Sequence, residues 1–142
     1  MKKTSVVIAF DFGLRRIGCA IGQNLTNTAN PLGTVSNSSK GIDWSRIEQW
    51  IEEWQPDKFI IGKTKKADGS KSDLDDAINI FAKTLRKKNI PVDYVDEARS
   101  SIEAREILKI KRRIGSNKKT KKEMIDAISA SIIAERWLNN NN

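Results

Sequence analysis

A chain of 142 residues with 38% hydrophobic and 31% charged residues has the composition of one globular domain, too short for two ordinary cores and too apolar for disorder. No apolar run approaches the roughly 18 residues of a membrane span, and a single cysteine, Cys19, excludes an internal disulfide and points to a reducing cytoplasmic compartment. The net charge is +8 and all of the excess is local: "KIKRRIGSNKKTKK", residues 109–122, holds eight basic residues and no acid, and leaves eighteen of each sign elsewhere. Such concentration around a Gly-Ser-Asn favours a polyanionic partner, nucleic acid first, over an ordinary solvated face.

The opening "MKKTSVVIAFDFG" imitates a secretory signal for a few residues, but Asp11 cuts the apolar stretch and no small-residue cleavage site follows. It reads as a first strand. Residues 5–11 and 17–22 are β-rich runs joined by a glycine-containing turn, hence an antiparallel hairpin, with a third strand near 31–35. After the loop "NSSKG", Asp43 is placed to cap a helix in which Trp44, Ile47, Ile51 and Trp54 recur at helical spacing, and Pro56 ends it. That spacing, in Trp50 as well, assigns the tryptophans of this helix to the core rather than to base stacking, and Trp137 is read the same way. "KFIIG", residues 58–62, is a short buried strand followed by the polar loop "KTKKADGSKS".

Ser72 with Asp75 resembles a capping box, opening a helix striped by Leu74, Ile78, Phe81 and Leu85. "PVDYV" is the next strand, Ser100 with Glu103 caps a further helix reaching the basic segment, and Thr120 with Glu123 repeats the signature. The last helix, to about Leu138, is apolar on most sides, which predicts a place between the sheet and a neighbour; the "NNNN" tail frays. The order predicts an α/β fold: one domain over residues 1–138, with a mixed five-stranded sheet, three antiparallel strands and then parallel ones, flanked by helices.

Three carboxylates do not suit a core. Asp11 closes an apolar strand, where an inward carboxylate without a partner is costly. Asp96 and Glu97 close the strand "PVDYV", and alternation lets one of the two face a site. Asp126, in "EMIDAISASIIA", sits among Ile125, Ala127 and Ile128, which are built for burial. Each alone has an ordinary explanation as a cap or a dipole partner. Together, strand ends and a sheet-packed helix can gather three hard oxygen ligands for magnesium or manganese. Two such ions about 4 Å apart activate a water and stabilise the leaving oxygen of a phosphodiester. The chain has no histidine, which removes histidine-based triads and most zinc sites.

"FDFGLRRIGCAIGQ", "PDKFIIGKTKKADGS", "DEARSSIEA" and "KEMIDAISA", in this order and spacing, resemble the YqgF family, small ribonuclease H-like proteins known as pre-16S rRNA nucleases or Holliday junction resolvases. The resemblance covers residues 5 to 138. It implies a ribonuclease H-like fold and magnesium- or manganese-dependent cleavage of structured nucleic acid, an rRNA precursor in ribosome biogenesis or branched DNA. It places the catalytic metal ligands at Asp11, Glu97 and Asp126, and it alone prefers Glu97 to Asp96.

Two departures touch substrate handling: Ala98 stands where the family has arginine, with Arg99 one position later, and Gly62 is followed by Lys63, Thr64, Lys65 and Lys66 instead of leucine and proline. Arg15, Arg16, Arg99 and the basic run of Lys109, Lys111, Arg112, Arg113, Lys118, Lys119, Lys121 and Lys122 are the expected backbone contacts, with Thr28 and Asn30 as candidate lining residues. The partners implied are nucleic acid and ribosomal particles, with the chain acting as a monomer or a homodimer. Rival readings are a sugar-kinase-like phosphotransferase, for which the chain lacks a second domain; a protein kinase, whose "DFG" would lie too near the start; and a non-catalytic RNA-binding assembly module.

Overall fold

Large apolar residues alternating with small ones put the first hairpin at the centre of the sheet. The computed structural model describes residues 5–63, 73–96 and 121–140. β1 (Val6–Phe12) and β2 (Arg16–Gln23) pair antiparallel, from Val6 opposite Gln23 to Phe12 opposite Ile17. β3 (Thr28–Ser38) continues antiparallel on β2, and β4 (Gly41–Ile42) pairs with its end. On the other side of β1, β5 (Lys58–Lys63) and then β6 (Val92–Asp96) add in parallel. The order is β4-β3-β2-β1-β5-β6. The expected five strands and their directions are all present; the sixth is a two-residue addition where Gly41, at φ 103°, reverses the chain.

Three helices are described: α1 (Trp44–Trp54), α2 (Asp73–Arg86) and α3 (Lys121–Asn140). Asp43 occupies the N-cap position of α1 but makes no capping bond, because its Oδ1 accepts instead from Ser45 Oγ at 2.7 Å. Ser72, the helix expected from Ser100, and Thr120 lie outside the described residues. None of the described helices is long and apolar enough to cross a membrane.

Strand alternation divides the core between the two faces of the sheet. Ile8, Phe10 and Phe12 of β1 and Ile17, Cys19 and Ile21 of β2 pack with Ile47 and Trp50 of α1 and Ile78, Phe81 and Leu85 of α2. Phe10 meets Phe81 edge-on at 5.1 Å between centroids. Trp50 is buried, and Trp44 and Trp54 pack against the same cluster, as their spacing implies. Burial also pushes the Cys19 thiol well above its ordinary pKa, against a smaller lowering by Arg46, so Cys19 is a core residue.

The opposite face is built for close approach. Val7, Ala9 and Ile60 pack with Ile133 and Ala134 of α3, while β2, after Arg16 at its start, offers the small residues Gly18, Ala20 and Gly22 on this side. α3 runs along β2 in the same direction: a Cβ on Gly18 would strike the Asp126 backbone, and one on Gly22 would touch Ala134 and Leu138. The four steps from Gly18 to Gly22 rise about 13 Å and the eight helical steps from 126 to 134 about 12 Å, so the two elements stay in step. The far end of α3 is pinned where Trp137 Nε1 (3.1 Å) and Lys58 Nζ (2.9 Å) both donate to Asp93 Oδ2.

The bond from Lys58 holds the Asp93 carboxyl below the usual carboxylate range, helped by Trp137 and by the Lys58 charge and opposed by desolvation. A carboxylate with a lowered native pKa stabilises the fold above its unfolded value of 3.8 and loses that contribution as pH falls through the native value. Asp93→Asn is therefore expected to destabilise the protein by under about 1 kcal/mol at pH 7, since the pair is part-exposed. Urea denaturation of both proteins should show the gap closing below pH 4.

Candidate active site

Asp11 is the penultimate residue of β1. Alternation with Phe10 and Phe12, both in the α1/α2 core, places it on the α3 face beyond Val7 and Ala9. Its cross-strand partners are Gly18 on β2 and Gly62 on β5, with Val95 of β6 next in the row. Both immediate neighbours lack a side chain, so no Cβ crowds the carboxylate from either strand.

Asp126 arrives from α3. A Cβ at Gly18 would lie 2.0 Å from the Asp126 carbonyl oxygen, 2.3 Å from its carbon and 3.0 Å from Ala127 N. The glycine opposite Asp11 thus admits the backbone that carries Asp126, so Asp11 and Asp126 both border Gly18. Arg16, two residues before Gly18 on the same face of β2, places Nε 2.7 Å from Asp126 Oδ2. The Asp126 side chain is 24% exposed and that of Arg16 36%. Two hard anionic oxygen donors beside glycines fit a magnesium or manganese ion in charge, donor type and room.

Among the described residues no three aspartates, glutamates or cysteines gather as a metal site. The third expected ligand, Glu97, follows Asp96, whose backbone pairs with Lys63, and lies outside the described residues with Ala98 and Arg99. The basic run is outside as well, from Lys109 through Lys111, Arg112, Arg113 and Lys118 to Lys119. Its last members, Lys121 and Lys122, begin α3 about one turn before Asp126.

Arg15 is exposed on the β1–β2 turn, which Asn37 ties to β3 by donating from its backbone to Arg15 O and from Nδ2 to Gly13 O. A cavity of about 590 Å³ on the α1/α2 face, lined by Phe12, Leu14, Arg15, Trp44, Ile80 and Phe81 among others, includes neither carboxylate. Thr28 and Asn30 pair with Gln23 and Ile21, toward the end of β2 remote from Gly18, and Asn27 bonds Asn139 at the far end of α3. The structure does not bring them to Asp11 and Asp126. Gly18 and Gly62 carry no ligating group and so do not stand out in the sequence beside the carboxylates, although "GCAIG" puts Gly18 and Gly22 on one strand face, a pattern that marks close backbone approach.

A family model described as RuvX, Holliday junction resolvase, matches residues 5–140. A protein of Haemophilus ducreyi named "Putative pre-16S rRNA nuclease" is 41% identical over 139 residues, spanning 96% of this chain and 98% of that one. A protein of the same name from Nitrosococcus oceani is 39% identical over 137 residues, covering 96% and 88%.

Thermus thermophilus RuvC in complex with Holliday junction substrate aligns at TM-score 0.59 and 12% identity, over 96% of both chains. Fowlpox virus resolvase with Holliday junction DNA aligns at 0.59 and 18%, over 95% of this chain and 97% of that one. At these identities the likeness is one of fold, and it is the ribonuclease H-like fold expected from the sequence. With a match along almost the whole chain and relatives near 40% identity over the full domain, the chain belongs to the RuvX family of Holliday junction resolvases.

Proposed function

We propose that this protein is a divalent-metal-dependent nuclease of structured nucleic acid, whose task is processing the 5′ end of pre-16S rRNA in ribosome biogenesis. The observation that supports the reading is that Asp11 pairs with Gly18 and the Asp126 backbone packs against the same glycine, in a row of the sheet that also holds Gly62. The names of the relatives favour the rRNA precursor as substrate. The family description and the junction-bound structures with this fold support a second reading, resolution of branched DNA.

Asp11 and Asp126, with Glu97, would hold magnesium or manganese. When bound, the metal supplies a water of lowered pKa and positive charge for the leaving oxygen. The chain's own share is to fix the carboxylates on a rigid strand and a packed helix, and to hold the phosphate backbone through Arg15, Arg16, Arg99 and the lysines and arginines of residues 109–122. Contacts of this kind give affinity without sequence reading. The cytoplasm, where rRNA precursors are made, is the proposed location, with the protein working as a monomer or a homodimer, near or on ribosomal particles.

The test is incubation with a labelled small-subunit rRNA precursor and, in parallel, a four-way DNA junction, in magnesium, in manganese and in chelator. Cleavage of the precursor that chelator abolishes is the expected result, and cleavage of the junction alone would select the second reading. Binding without cleavage under every condition would replace both with an RNA-binding assembly module. Replacing Lys118, Lys119, Lys121 and Lys122 with alanine is expected to weaken binding to both nucleic acids and to flatten the salt dependence by roughly 0.7–0.9 per lost phosphate contact, read from the slope of log K against log salt.

A further inference from the structure

Arg16 touches Asp126 with Nε alone, and neither of its terminal nitrogens makes a hydrogen bond among the described residues. A guanidinium has five N–H donors in a planar fork, and four of them are on those two nitrogens. An arginine that served only to neutralise an aspartate would gain most by a two-bond contact with the carboxylate. Here the side bond is used and the far edge is left over. The side chain is more than one-third exposed, so that edge reaches solvent next to Asp126 rather than the core. Arg16 shares the α3 face with Gly18, whereas Arg15 lines the cavity on the opposite face.

We propose that Arg16 is a two-ended residue: Asp126 locks it through Nε, and its free edge takes the non-bridging oxygens of one backbone phosphate, the phosphate that lies against the carboxylates. The assignment rests on the nuclease reading for its ligand, a phosphodiester chain. An anion approaching two carboxylates is repelled, and a fork anchored by one of them supplies both the opposing charge and a fixed direction. Lysine cannot do both. Its donors share one nitrogen, and an ammonium placed on Asp126 has no second planar edge for a phosphate.

The experiment is equilibrium binding of a fluorescently labelled rRNA-precursor hairpin and of a four-way DNA junction, in chelator, over a salt series. Arg16→Lys keeps the charge, yet is expected to weaken binding roughly tenfold with an unchanged salt slope, whereas Arg86→Lys, at an exposed position in the last turn of α2, stays within about twofold. Arg16→Lys within twofold of the wild type, or equal weakening by both lysine variants, would overturn the proposal.

A second pair tests the anchor without altering Arg16. Asp126→Asn and Asp126→Ala remove the same charge, but the asparagine amide oxygen still accepts from Nε. The alanine variant is expected to bind about fivefold more weakly than the asparagine variant, and equal binding would refute the anchoring. Cleavage plays no part in this readout. Wild-type protein that binds but never cuts would remove the nuclease reading and leave Arg16 in place; wild-type protein that binds neither nucleic acid would remove both.

Discussion

Asp11→Asn is expected to lower cleavage roughly a thousandfold, while binding in chelator stays within about twofold of the wild type. Asparagine has the volume and one of the oxygens of aspartate but no charge, and a neutral amide is a poor ligand for a hard divalent ion. The fold should hardly notice, because asparagine matches aspartate in size and shape and glycines face Asp11 on both neighbouring strands. Asp126→Asn should give a loss of the same order. If the two carboxylates act as one unit, the double variant should be scarcely worse than either single one, as residues sharing one catalytic task are not additive. Single-turnover cleavage with magnesium, at saturating enzyme, measures all three. Activity within tenfold of the wild type in Asp11→Asn would show that the chemistry lies elsewhere.

How much of this site the sequence discloses depends on the range of the interaction. β1, β2 and β5 are legible because they are short β-rich apolar runs that stop at or next to glycine, and α1 because its tryptophans and isoleucines repeat every three or four residues. Asp11 and Asp126 stand out by contrast with the apolar positions around them. What joins them does not. The Arg16–Asp126 bond spans 110 residues of chain, and nothing local to "LRRIG" says which of two adjacent arginines finds an aspartate. The choice follows from strand parity: Arg16 falls on the face with Gly18 and Gly22, and Arg15 stays on the turn. Thr28 and Asn30 fail as lining residues for a similar reason, since β3 is antiparallel to β2 and its first residues pair with the last residues of that strand. Asp43 fails as a cap because Ser45, two residues on, competes for the same carboxylate.

Gly18→Ala is the sharpest test of the architecture, because it adds one methyl group where there is no space. Its Cβ would fall 2.0 Å from the Asp126 carbonyl oxygen, and the obstacle is helix backbone, which cannot turn aside as a side chain can. The start of α3 must then move away from β2 by an ångström or more. Overpacking of this kind costs about 3 kcal/mol, and a shift of about 1 Å in a catalytic group is enough to cost on the order of a hundredfold in rate. Gly22→Ala is the matched control on the same strand face. Its new methyl would meet Val7 Cγ2 at 3.0 Å and the side chains of Ala134 and Leu138 at 3.3 Å, atoms that can give by a few tenths of an ångström. It should cost about 1 kcal/mol and leave cleavage close to normal, since it lies at the end of β2 away from Asp11. Urea denaturation and cleavage rates of the two variants, taken together, separate loss of stability from loss of alignment. If Gly18→Ala were as mild as Gly22→Ala in both measurements, the helix would not rest on that glycine, and the neighbourhood of Asp11 and Asp126 would have to be set by something other than the missing side chain.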